Sequence, residues 1–213
     1  PFLDAMRKGG EEIPEYYFYD VNGRINRSFG TSDNVILSGY AGNDDLTLDL
    51  VEGSFVDIQW GNVAGTAKWT HVFAPRLFGN FLLAGSRYHS DTEVSFFETP
   101  GFFRNNLLDL TAKADLDFRA SPKHQLTGGL IASRYRFEFS QGFNFETNSK
   151  ILQRPYSAAG YIQDEWILSP RFTLQPGIHL RYFIEGSSWR AEHRISLRAQ
   201  ISTHWRIKIG FGL

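Results

Sequence analysis

The sequence predicts an all-β protein, an antiparallel up-and-down transmembrane β-barrel of about ten strands, and three observations carry that prediction. Apolar and polar residues alternate with period two over stretches of about 12 residues; soluble strands run about 5–6, and about 9–11 suffice to cross hydrocarbon. Short turns alternate with long polar segments, the asymmetry of barrels with short periplasmic and long extracellular connections. Aromatic residues make up 15% of the chain, with 19 Phe, 9 Tyr and 5 Trp. Trp69, Phe73, Phe118, Trp166, Phe172 and Trp205 lie beside short turns, where amphipathic rings form an interfacial girdle.

The elements follow in order. Residues 1–13, with Gly9-Gly10-Glu11-Glu12, read as a lead-in loop, and 14–213 as the barrel segment. Strands are expected over roughly 15–28, 34–43, 58–73, 77–89, 107–120, 125–139, 156–168, 172–185, 193–201 and 205–213. The clearest alternation runs from Leu108 to Arg119. Leu108, Leu110, Ala112, Ala114, Leu116 and Phe118 share one face, against Asp109, Thr111, Lys113, Asp115, Asp117 and Arg119. A helix would scatter those charges around its whole surface. Short turns are expected at Gly30-Thr31-Ser32-Asp33, Ala74-Pro75-Arg76, Ser121-Pro122-Lys123, Ser169-Pro170-Arg171 and Ser202-Thr203-His204, where Pro, Ser and Asp supply turn chemistry. The segments 43–57, 89–106, 140–155 and 186–192 are expected to be long loops.

Composition removes several function classes. A formal net charge of −1 offers no basic excess for nucleic acid. The absence of cysteine excludes disulfide frameworks, thiolate metal sites and thiol nucleophiles. No run approaches the ~18 apolar residues of a membrane helix, and mean hydropathy is −0.30. Alternating faces cancel in such an average, so a membrane barrel fits it. The residues after Pro1 show no charged and apolar leader pattern, so no signal peptide is expected among them. No cofactor or metal is expected, because His89 and Asp91 make two ligands without a third. Phosphate loops, GxSxG elbows and HExxH motifs are absent.

Two groups are candidate functional residues. Asp109, Lys113, Asp115, Asp117 and Arg119, with His179, Arg181, Arg198, Arg206 and Lys208, are expected to face the lumen. There, cross-strand pairs of opposite charge contribute about 0.2–1 kcal/mol each. The segment 89–106 carries His89, Asp91, Glu93, Phe96, Phe97, Phe102, Phe103 and Arg104, aromatics with a few polar groups suited to ligand capture. Phe143 and Phe145 resemble them more weakly. One alternative is a self-contained ten-stranded outer-membrane enzyme or adhesin, the enzyme with Asp44, Asp45, His89 and Asp91 converging at its mouth. A second is a soluble ligand-binding β-barrel with its apolar faces turned inward.

One stretch resembles a known family. Tyr161-Ile162-Gln163-Asp164-Glu165-Trp166, followed by Leu168-Ser169-Pro170-Arg171-Phe172-Thr173-Leu174-Gln175-Pro176-Gly177-Ile178, is similar to a stretch of TonB-dependent outer-membrane receptors. Trp60-Gly61-Asn62 leading to Trp69-Thr70-His71-Val72-Phe73, and His193-Arg194-Ile195-Ser196-Leu197-Arg198 before Trp205, match the family less sharply. The nearest flavour is the carboxypeptidase-regulatory-like subgroup common in Bacteroidetes-type bacteria, and the resemblance spans 14–213. It implies a barrel of about 22 strands in the bacterial outer membrane, with lipid outside and a separate plug domain inside. It further implies uptake of a scarce small-molecule or oligomeric ligand (siderophore, vitamin, oligosaccharide or peptide) driven by the TonB system, and no catalysis. Lacking plug, TonB-contacting segment and a terminal aromatic after Gly210-Phe211-Gly212, these residues are expected to form part of such a wall.

Overall fold

Period-two alternation gives every strand one apolar and one polar face, and strands of that kind satisfy their backbone by pairing edge to edge. The computed structural model describes residues 14–51, 53–97, 99–144, 146–184 and 186–212; the lead-in loop expected over 1–13 and Phe145 lie outside them. The strands are β1 (Glu15–Phe29), β2 (Asp33–Val51), β3 (Ser54–Ala74), β4 (Leu77–Phe96), β5 (Thr99–Ser121), β6 (His124–Phe143), β7 (Glu146–Gln153), β8 (Tyr156–Ser169), β9 (Phe172–Phe183), β10 (Ser188–Gln200) and β11 (Arg206–Gly212). All pair antiparallel in one up-and-down sheet, in sequence order apart from β7.

The eleven elements occupy ten strand positions, as the sequence predicts. The lower part of β6, His124–Arg134, pairs with β8, and its upper part, Phe137–Phe143, pairs with β7. Arg154-Pro155 lies between β7 and β8; Pro155 has no N–H to give the ladder, yet its carbonyl still accepts the Tyr135 N–H at 2.9 Å. Among the described residues β1 and β11 are the two edges and do not pair, so the sheet is not the self-closed barrel of the enzyme alternative.

The four long segments differ from expectation: they are mostly strand. β2 and β3 run on through 43–57 to Gly53 (φ 76°), and β4 and β5 through 89–106 to Phe97 (φ 49°). Asn144 (φ 52°), Gly186 (φ 87°) and Ser187 (φ 46°) make the other tight ends. The asymmetry survives in another form, because the hairpins overrun the apolar belt on one side only. The short turns carry a repeated feature. In Ala74-Pro75-Arg76, Ser121-Pro122-Lys123 and Ser169-Pro170-Arg171 the register slips by one residue beside the turn. The basic residue's carbonyl then accepts an N–H at 2.8 Å from the strand beyond the hairpin, from Arg119 of β5, Ile167 of β8 and Gln200 of β10 respectively.

The pairing sorts side chains into rungs. One apolar rung is Leu37–Ala67–Leu83–Ala112–Ala132–Ala158–Tyr182–Trp189, and the next is Val35–Trp69–Phe81–Ala114–Leu130–Gly160–Leu180–Ala191. Among the described residues this face has no core behind it. Leu83 is 64% exposed, Leu130 69% and Ile178 45%, while Val94 is the one buried hydrophobic side chain described. The polar face is the more sheltered one, with His179 and Ser133 buried. The soluble alternative required the opposite arrangement.

Candidate functional site

The polar face is organised around one rung, Asn34–Thr70–Asn80–Asp115–Gly129–Tyr161–His179–Glu192. Lys113 Nζ lies 2.8 Å from Asp115 Oδ2 and 5.6 Å from the centre of the Tyr161 ring. The Tyr161 hydroxyl donates to Asp115 Oδ1 across Gly129, whose missing side chain leaves room for the ring. Tyr161 stacks on His179 with centroids 6.1 Å apart, and Arg194 donates to Glu192 at 2.9 Å. Charges, rings and donors thus follow one another from β5 to β10, with His179 Nδ1 3.7 Å from Glu192 and without a hydrogen-bond partner among the described residues. Nearer the short turns, Thr127 donates to Asp117 at 2.6 Å and Arg198 to Glu165 at 2.9 Å.

Register places every charge expected to face the lumen on this one face: Asp109, Lys113, Asp115, Asp117 and Arg119 on β5, Arg181 on β9, and Arg198 on β10. His179, Arg206 and Lys208 join them. Tyr161 and Glu192 were missed, since each reads as an unremarkable strand residue until cross-strand partners are known.

The candidate capture residues do not form one surface. His89, Asp91, Phe102 and Arg104 share the face of the apolar rungs, beyond their upper edge, while Phe96 and Phe103 point to the other side. Strand alternation forces the split once 89–106 is hairpin rather than loop. Phe97 sits at the tip, 79% exposed. The charges largely answer one another: Arg104 Nε is 3.0 Å from Asp91 Oδ2, and its terminal nitrogen is 3.5 Å from Glu93. On the opposite face Phe103 meets Phe143 edge-on, centroids 6.0 Å apart.

The four residues of the enzyme alternative do not converge. Asp44 lies on the polar face, where the Tyr16 hydroxyl donates to it, and that bond raises the Tyr16 pKa. Asp45, His89 and Asp91 lie on the opposite face. Asp57, near Asp45, Asp91 and Glu93, holds its proton to higher pH than usual, first through desolvation and then through those three carboxylates. One of its oxygens is enclosed without a partner among the described residues. No group of three or more His, Asp or Glu side chains suited to a metal ion occurs among the described residues.

Beside the short turns the apolar face carries two similar polar-aromatic clusters. Asp33 accepts from Trp69 Nε1 at 2.8 Å and lies 2.7 Å from His71 Nδ1. His124 Nδ1 is 2.6 Å from Asp164 and stacks on Trp166 with centroids 5.3 Å apart. Trp69 and Trp166, expected in the girdle, therefore have polar partners at that level.

Solved structures supply the comparison. The Pseudomonas aeruginosa protein FpvA, solved bound to heterologous pyoverdines, superposes with a TM-score of 0.72 at 10% identity, over 92% of this chain and 35% of that one. This sheet is barrel wall. The siderophore receptor PiuA from Acinetobacter baumannii gives a TM-score of 0.63 at 12% identity, over 93% of this chain and 39% of PiuA. The RagAB peptide importer gives 0.63 at 9% identity, over 94% and 33%. The wall described here therefore spans 33–39% of those chains. At such identities the likeness establishes the fold alone. No protein-family model and no curated protein matches the sequence.

Proposed function

We propose that this barrel wall belongs to a TonB-dependent receptor of the bacterial outer membrane, of the carboxypeptidase-regulatory-like subgroup, that takes up a scarce siderophore, vitamin, oligosaccharide or peptide. The observation that carries the reading is the two-faced sheet. On β5 the apolar belt runs from Phe118 to Leu108, eleven residues and ten steps along the strand. At about 3.3 Å per residue and a tilt of about 45°, that is roughly 23 Å, close to the ~25 Å apolar band of such barrels. Phe73, Phe118 and Trp166 lie at its lower edge, and the Trp69 indole reaches Asp33 from the rung of Ala114. Lipid wets this face and the polar face surrounds the lumen. The Asp115–Tyr161–His179–Glu192 rung, with Lys113 and Arg181 beside it, then faces a plug domain supplied elsewhere in the receptor. The overrunning hairpins stand outside the cell and present Phe97 to incoming ligand.

The wall serves as scaffold and ligand surface, and the TonB system acting on the plug supplies the energy for transport. Catalysis has no part in it. The chain has no cysteine, which makes a direct test simple. In cells expressing the full-length gene, Phe97→Cys should react with a membrane-impermeant maleimide on intact cells, and Pro122→Cys only after the outer membrane is permeabilised. The reverse pattern would overturn the orientation. Accumulation of labelled ferric siderophore, cobalamin, oligosaccharide or peptide should require the host's TonB; indifference to TonB for all four would refute the transport reading.

A further inference from the structure

The apolar face is not smooth. Ala112, Ala132 and Ala158 follow one another on the rung between Leu83 and Tyr182, Ala67 lies on the other side of Leu83, and Gly160 lies on the next rung. These small residues, between the larger Trp69, Phe81 and Leu130, floor two contiguous hollows of about 960 and 670 Å³. The two share Ala67, Leu83, Ala112, Ala132 and Ala158. The second hollow continues towards the long hairpins and reaches Leu110, Arg134 and Tyr156. An apolar trough therefore ends at a guanidinium.

Arg134 is not alone there. Arg136 lies two residues further along the same face of β6, and Arg87 of β4 flanks the same β5 residue, Leu108. Two strand spacings of about 4.8 Å separate Arg87 from Arg136, so the pair stands about 10 Å apart. All three arginines are exposed. Arg134 lies over the Tyr156 ring at 5.4 Å, Arg87 Nε donates to Asn106 at 3.2 Å, and Arg136 donates to Glu138 at 3.1 Å. One carboxylate thus answers three guanidiniums. Elsewhere the same rung is Val21, Ala41 and Val63, so the charge gathers where the trough ends.

We propose that the trough and its arginines form a binding site for a phosphorylated membrane lipid. An acyl chain lies along the alanine floor, and the headgroup phosphate bridges Arg87, Arg134 and Arg136. The proposal rests on the reading that lipid wets this face. Planar guanidinium forks match phosphate oxygens in pairs and hold them in water-poor surroundings better than an ammonium does. The arginines stand at the upper edge of the apolar belt, the depth at which headgroups begin.

The test uses the full-length protein extracted from outer membranes in mild detergent, with co-purified lipid phosphate counted per protein by mass spectrometry. R87Q/R134Q/R136Q should retain about tenfold less phosphorylated lipid than the parent, since charge-assisted contacts dominate phosphate recognition. Ala132→Phe, which fills the trough and leaves the arginines intact, should also expel it. Equal lipid in the triple variant and the parent overturns the site. Loss in the triple variant with full retention in Ala132→Phe overturns the trough. Far-UV circular dichroism confirms that each variant keeps its sheet, and Arg134→Gln alone replaces the triple variant if that does not fold. A protein soluble without detergent would sink the membrane reading itself. One that needs detergent yet carries no phosphorylated lipid sinks only the lipid site.

Discussion

A charge placed in the middle of the apolar belt should separate a lipid-facing sheet from every water-facing alternative. Leu130 is 69% exposed and sits on the rung of Ala114 and Leu180. Along β5, Ala114 lies four residues above Phe118 at the lower edge and six below Leu108 at the upper. At about 3.3 Å per residue with a tilt of about 45°, Leu130 is then roughly 9 Å inside the belt. Arginine near the midplane costs about 2–4 kcal/mol, whereas at the interface it costs about 0–1. Leu130→Arg should therefore lower the folding equilibrium of the membrane-inserted protein by roughly 30- to 700-fold. Phe118→Arg, at the edge, should stay within about fivefold of the parent. Ile131→Arg, on the polar face beside Lys113 and Arg181, should escape the hydrocarbon cost altogether. Reversible denaturant unfolding in lipid vesicles measures all three. A neutral Leu130→Arg beside a damaging Ile131→Arg would mean that the two faces have been assigned the wrong way round.

Three further outcomes follow from named contacts. A methyl group at Gly129 would stand 2.6 Å from the Tyr161 ring and closer still to the Asp115 carboxylate, so Gly129→Ala should cost about 1–3 kcal/mol in the same unfolding assay. Gly65→Ala, whose added carbon meets nothing nearer than 3.9 Å, serves as its control. The folded state raises the Asp57 pKa above the ordinary carboxylate value, so it binds the proton more tightly than the unfolded chain does. Stability from this group is then greatest in acid and declines as pH rises from that value through the raised one. Asp57→Asn should flatten that decline in thermal melts of detergent-solubilised protein, and an unchanged slope would remove Asp57 as its source. Arg104→Ala breaks contacts to Asp91 and Glu93 among side chains 41–59% exposed, so it should change stability by no more than about 1 kcal/mol. A larger loss would show that the hairpin end is packed more tightly than its exposure indicates.

What the sequence made legible was everything that depends on alternation within one strand. Leu108–Arg119 displayed its two faces directly, and the same parity groups Arg181 and Arg198 on the polar face. The hairpin extensions were illegible because a strand standing in water on both sides needs no apolar face. Asp44-Asp45, Asp91 and Glu93 read as loop composition, yet their backbones pair as regularly as those of the belt. The same oversight gathered His89, Asp91, Phe96 and Phe103 into one capture surface, although continuing the Leu108 alternation as far as Arg104 would have divided them.

The polar rung was hidden for a different reason: it depends on register between strands, and a single inserted residue sets that register. Ser121 faces His124 across the turn, and continuing that pairing unbroken would put Asp115 opposite Leu130. The slip beside Arg119 puts it opposite Gly129 instead, where Tyr161 can lie across the gap and reach it. The slip beside Ser169 acts alike, since without it Tyr161 would face Leu180 rather than His179. The third, beside Ala74, brings Trp69 opposite Phe81 instead of Leu82, and the two rings stack at 5.0 Å. Each short turn ending in Pro-Arg or Pro-Lys thus carries a one-residue correction that keeps polar rungs polar and apolar rungs apolar through the height of the wall. The two faces of this sheet are therefore decided at its short-turn rim, by residues that belong to neither the apolar belt nor the polar rung.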